Sequence, residues 1–242
     1  MRDDEVVGGV SVTSKKTSGD GDTGVGLPAA GVDLLRELEL NNTREWWQSN
    51  KDRHRDLVVE PLRRVTDALE EEFGPAKLFR PQRDIRFSKD KSPYKTHQGA
   101  YVASGAPGES IAGWYVDLGV EGLRSGGGLY QADSAMIARY REAVDDDVSG
   151  SQLHRIVTGI EGAGMQVLGD TLKSAPRGYS KEHPRIDLLR HRSLYVMADH
   201  GEPAWMSTPE VVDRLLDDWR AVRPLVAWIN EHMAVPGAAG QE

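Results

Sequence analysis

Four cations and a tyrosine, Arg83, Arg86, Lys91, Tyr94 and Lys95, fall close together in this chain. Guanidinium forks and ammonium groups beside an aromatic hydroxyl are the donors that recognition of phosphate or carboxylate requires. The surrounding stretch 79–96 holds six cations against two carboxylates, a local balance of +4. A second stretch, 171–192, has the same balance and includes Arg177, Tyr179, Lys181 and His183. The formal charge of the 242 residues is −8, so the rest of the chain carries −16. Two basic islands in an acidic protein fit a small anionic ligand. Nucleic acid is the disfavoured partner, because phosphate-backbone binding normally shows as a basic domain. The competing reading is that these cations are solvated, or paired structurally with Asp84, Asp90 and the acidic remainder.

Asp84, His97 and His183 are the candidates for proton transfer beside such a ligand, since an unperturbed imidazole titrates near neutrality. No nucleophile or carboxylate partner can be identified for either histidine from the sequence, so a structural or solvent role is favoured for both. Gly127, in the run Gly126-Gly127-Gly128, offers either a backbone anion nest or a bulge in a strand. Ser88-Lys89-Asp90-Lys91 satisfies S-x-x-K but lacks the companion motifs of the serine hydrolases that use it, and is read as accidental. The chain has no cysteine, and its seven histidines show no paired metal spacing. Neither a metal nor a cofactor is expected.

The elements that must position these residues follow from periodicity and breakers. Residues 1–27, rich in glycine and polar residues, read as a flexible leader, and 235–242 as a flexible tail around a single domain, 28–234. A helix is expected over Val32 to Leu40. Asn42 with Glu45 resembles a capping box opening a long helix to Phe73, kinked at Pro61, with Trp46 in the core by default and a groove role for Trp47 the lesser alternative. Strands are expected at Ile85–Phe87, at Ala100–Val102, over Trp114 to Leu118 and over Leu123 to Tyr130, with a turn at 104–108. If Ile85 and Phe87 point inward, Asp84 and Arg86 share the opposite face. Helices over Ser134 to Val144 and Gln152 to Ile160, a strand over Ser193 to Ala198, and a closing pair over Pro209 to Arg220 and Val222 to His232 complete the pattern. The order implies an α+β fold with a central, mainly antiparallel sheet packed by helices. No apolar run reaches membrane-span length and the N-terminus has no signal-peptide core, so a cytoplasmic protein without a membrane partner is expected.

Asn41-Asn42-Thr43-Arg44-Glu45-Trp46-Trp47, the long segment Phe79 to Thr96, Gly126-Gly127-Gly128-Leu129-Tyr130, Pro176-Arg177-Gly178-Tyr179 and His183-Pro184 together resemble the family catalogued as domain of unknown function 2461, over roughly Gly31 to His232. Trp47, Pro81-Gln82 and Tyr130 depart from the family pattern in identity but little in character. The resemblance implies a compact domain and supplies no reaction. The residues themselves favour a binding module for a phosphate- or carboxylate-bearing ligand. The alternatives are an enzyme, hydrolase or transferase, acting on that ligand, and a structural or protein-interaction domain.

Overall fold

The computed structural model describes residues 24–105 and 110–234. The expected tail and most of the expected leader and of the 104–108 turn lie outside them. Within them the chain enters the core at once: Leu27 is fully buried and its N–H bonds the carbonyl of Met206 at 2.8 Å.

The helices α1 (Ala29–Leu40) and α2 (Arg44–His54) lead into a single π-helical segment, Arg55–Val59, then α3 (Glu60–Asp67) and α4 (Glu70–Phe73). The expected single long helix is therefore replaced by several pieces. Pro61 cannot donate to the carbonyl four residues back, and the turn before it widens so that Glu60 N–H bonds Arg55 O instead. Thr43, not Asn42, caps α2, its hydroxyl accepting from Trp46 N–H at 3.2 Å. Trp47, not Trp46, is the core residue, stacked on Tyr94 with ring centroids 4.3 Å apart and packed against His54 at 4.9 Å.

Six antiparallel strands form one sheet: β1 (Ala76–Leu78), β2 (His97–Ala103), β3 (Gly113–Gly119), β4 (Gly122–Leu129), β5 (Gln166–Leu168) and β6 (Leu194–Gly201), in the order β1-β2-β3-β4-β6-β5. The first four are a meander. Between β4 and β5 lie α5 (Ser134–Asp145) and α6 (Asp147–Gly162), and between β5 and β6 the short α7 (Ile186–Leu189). The chain closes on α8 (Glu210–Met233). The expected closing pair is thus one helix that runs through Pro224. Val211, Leu215, Trp219, Val222, Val226 and Ile229 bury one continuous stripe of α8, which offsets the roughly 3 kcal/mol that an interior proline costs a helix. No helix among the described residues is long and apolar enough to cross a membrane.

Strand alternation divides the sheet. Trp114, Val116, Leu118, Leu123 and Val196 face the helical layer, where Trp114 Nε1–H donates to Trp219 O at 3.0 Å and Phe73 packs edge-on against both rings. His97, Tyr101, Tyr115, Asp117, Arg124 and Met197 point the other way.

Candidate functional site

Residues 79–96 connect β1 to β2 without the expected strand at Ile85–Phe87; Phe87 is 96% exposed. Two apolar positions with no facing core do not make a strand. The segment is instead a loop closed on itself by the Gln82–Tyr94 bridge, with Arg83 N–H donating to Pro93 O at 2.9 Å and Lys95 N–H to Pro81 O at 2.8 Å. Asn42 fastens its base from the helical layer, donating from Nδ2 to Tyr94 O at 2.9 Å and accepting from Tyr94 N–H at 3.1 Å.

The cations of this loop divide by partner. Arg83 is bound by Asp90, whose carboxylate also accepts from Ser92 N–H and Oγ and is held well below its usual pKa, first by Ser92 and then by Arg83. Arg86 pairs with Asp84 side-on at 2.6–3.2 Å on the exposed part of the loop, and Lys91 Nζ donates to Ile85 O at 3.0 Å. These three cations hold the loop's shape. Lys95 differs: no carboxylate lies in ion-pair range of it among the described residues, and its ammonium sits over the Phe79 ring at 5.3 Å. Burial lowers its pKa, and the nearby Arg80 charge adds to the effect.

Lys95 lines a cleft of about 360 Å³ together with Glu39, Asn42, Arg83, Asp90, Ser92, Tyr94, Thr96 and His97. Burial holds His97 below its usual pKa, with Asp117 opposing and Lys95 and Arg124 adding to the shift. Behind His97 stands a group that the sequence reading passed over. Asp117, only 1% exposed, accepts from Arg124 Nε at 3.0 Å and Nη2 at 2.7 Å and from Tyr115 Oη at 2.9 Å. The Tyr115 ring reaches Asp117 across Gly99, where a Cβ would stand 2.5 Å from the hydroxyl. Alternation could have put Tyr115, Asp117 and Arg124 on one face, but only the β3–β4 register puts Asp117 opposite Arg124.

The second island lies elsewhere. The loop 79–96 leaves the sheet at the His97–Gly119 end beside β1, whereas 169–193 leaves it at the Leu129–Leu194 end beside β5. The two are diagonally opposed across four strand spacings, roughly 19 Å, between β2 and β5. His183 donates from Nε2 to Asp145 at 3.2 Å and accepts Arg185 N–H at Nδ1, while Arg185 caps the α5 carbonyls of Val144 and Asp145. Tyr179 is half-buried against the core, and burial raises its pKa. Arg177 is exposed. Gly127 is buried under α8: a Cβ there would meet Gly113 O at 2.5 Å and Val222 Cγ1 at 3.0 Å, so close packing demands the glycine.

A further polar cluster escaped the sequence reading. Ser125 Oγ donates to Asp218, and His200 Nε2 lies 2.7 Å from the same Asp218 oxygen and 3.4 Å from Ser125. One ring nitrogen serves both neighbours, so the histidine cannot relay a proton between them as a catalytic triad would. The cluster fastens α8 to β4 and β6.

A family model described as a conserved hypothetical protein, DUF2461, matches residues 30–228. The chain belongs to the DUF2461 family. No curated protein matches it. In this DUF2461 chain the match runs from α1 into α8, and so takes in both the cleft and the residues behind it.

Proposed function

We propose that the cleft beside loop 79–96 binds a small ligand carrying a phosphate or carboxylate group, with Lys95 as its counter-charge. The observation that carries this reading is the state of Lys95: a partly desolvated ammonium without a carboxylate partner among the described residues, its charge disfavoured by burial and by Arg80. An anion in the cleft offsets both penalties through its direct attraction to the ammonium. Arg83, Arg86, Lys91 and Asp90 serve the site by fixing the loop that presents Lys95 and Tyr94.

Thermal unfolding against inorganic phosphate, sugar phosphates, nucleotides and small carboxylates tests it. A ligand at about 100 times its Kd adds roughly 2.7 kcal/mol of stability. At least one of these anions raises the Tm of the parent and leaves Lys95→Met, which folds normally, unmoved. The reading fails if no anion shifts the parent or if the variant responds equally.

His97 on the same cleft supports a second reading, an enzyme acting on that ligand. Burial keeps the ring neutral at pH 7 and able to accept a proton. Turnover of a chromogenic phosphate or carboxylate ester by the parent and its loss in His97→Gln is the expected result. The absence of turnover across such esters returns the site to binding alone.

A further inference from the structure

Arg124 is docked on Asp117 by one edge. Nε and Nη2 meet the carboxylate at 3.0 and 2.7 Å, and Tyr115 Oη holds the same carboxylate at 2.9 Å. A guanidinium bound through its Nε edge presents the opposite fork, Nη1 and the second Nη2 hydrogen, in a fixed direction. That fork has no protein acceptor among the described residues, and the Arg124 side chain is 44% exposed. Asp199, its neighbour across the strand pair, accepts the Gly201 N–H at 3.3 Å and supports the Arg124 charge without a hydrogen bond to it. An ion pair with one member fully buried adds little net stability, because desolvation consumes most of the attraction. Its geometric result is an oriented fork on the face of the sheet that also carries His97.

We infer that Arg124 is a second anion-binding residue of the cleft site, with Asp117 and Tyr115 as its positioning residues, and that the ligand therefore carries two acidic groups. The inference rests on the Lys95 reading and deepens it. Lys95 takes one group within the cleft, and the Arg124 fork, which stands beyond the cleft's lining on the sheet face that also carries His97, takes the other. Both cations lie near enough to His97 to disfavour its charging, and Asp117 from β3 opposes them. A two-headed anion between the cations would reverse that balance and raise the pKa of His97.

The experiment is calorimetric titration of the full chain with inorganic phosphate, pyrophosphate and tripolyphosphate, whose terminal phosphates span increasing distances. The parent binds one of the two longer anions at least about tenfold more tightly than phosphate, a preference of about 1.4 kcal/mol. The paired variant Arg124→Gln with Asp117→Asn leaves the net charge unchanged, and in it the preference falls below about threefold. Arg124→Lys, which keeps the charge opposite Asp117 and loses the fork, serves if the paired variant unfolds, and gives the same collapse. Separately, the His97 ring pKa read by NMR rises when the longer anion binds to the parent. The inference is overturned if the longer anions bind no better than phosphate, or if the preference survives the loss of the fork. If phosphate, pyrophosphate and tripolyphosphate all fail to bind the parent, this inference falls, and the Lys95 reading falls with it only if no phosphate or carboxylate of the thermal-unfolding panel shifts the parent either.

Discussion

Asn42 spends its whole side-chain amide on the backbone of Tyr94, one bond in each direction. Replacing it with alanine leaves a part-buried N–H and a part-buried carbonyl without partners, a cost of about 1–3 kcal/mol. Asn42→Ala therefore lowers the urea midpoint, and in hydrogen exchange Tyr94 loses protection while Val116 in β3 keeps its own. Equal loss at both positions would show that Asn42 supports the whole fold and not the loop. His54 makes a different prediction. It is 3% exposed, its Nε2 has no hydrogen-bond partner among the described residues, and burial lowers its pKa to about 4 from an ordinary 6.5. Between those values the unfolded chain binds the proton and the native state does not, so stability falls as pH drops through this window. The loss attributable to His54 is about 2–3 kcal/mol by pH 4. Urea midpoints at pH 7 and pH 4.5 should therefore differ less in His54→Phe than in the parent, and an equal difference would remove His54 from the account.

Among the elements, α8 departs furthest from local rules, because Pro224 sits inside it. The proline denies the Arg220 carbonyl its donor, and the helix persists because its buried stripe runs past the interruption. Pro224→Ala restores that bond at an exposed position. Against the roughly 3 kcal/mol cost of an interior proline stands about 1 kcal/mol of extra freedom in the unfolded chain, so the variant gains about 2 kcal/mol. A higher Tm with unchanged helical circular dichroism is the expected result; a lower Tm would mean that the proline itself is needed for packing. The loop 79–96 is the opposite case, an element without regular structure whose shape comes from internal pairs. Its cations looked available in sequence, yet Arg83, Arg86 and Lys91 each have a partner inside the loop.

Taken as a whole, the molecule was legible where periodicity was long. The strands about Ala100–Val102, Trp114–Leu118, Leu123–Tyr130 and Ser193–Ala198, and the helices at 134–144 and 152–160, stand close to where alternation and 3.6-residue spacing put them. β1 and β5 were missed because three residues are too few to show a period. Ile85 and Phe87 misled for the same reason. Asn42 read as a cap because capping is a local rule, and only the tertiary approach of Tyr94 gives its amide a better partner. The site was legible in part: Arg83, Tyr94, Lys95 and His97 do share a cleft, while Arg177, Tyr179 and His183 stand diagonally across the sheet. Strand order made that separation, and no spacing along the chain encodes it. Asp117 stayed hidden because a carboxylate in a strand acquires meaning only from the residue opposite.

The two three-residue borders of the sheet bear on behaviour in concentrated solution. The central strands β2, β3, β4 and β6 run to seven or eight residues and would template further pairing if they were left at an edge. Each flank instead stops after three residues, with the exposed Lys77 in the middle of β1, and offers little rail along which a neighbouring molecule could add its own strand. The sheet thereby limits fibrous growth through its shortest members.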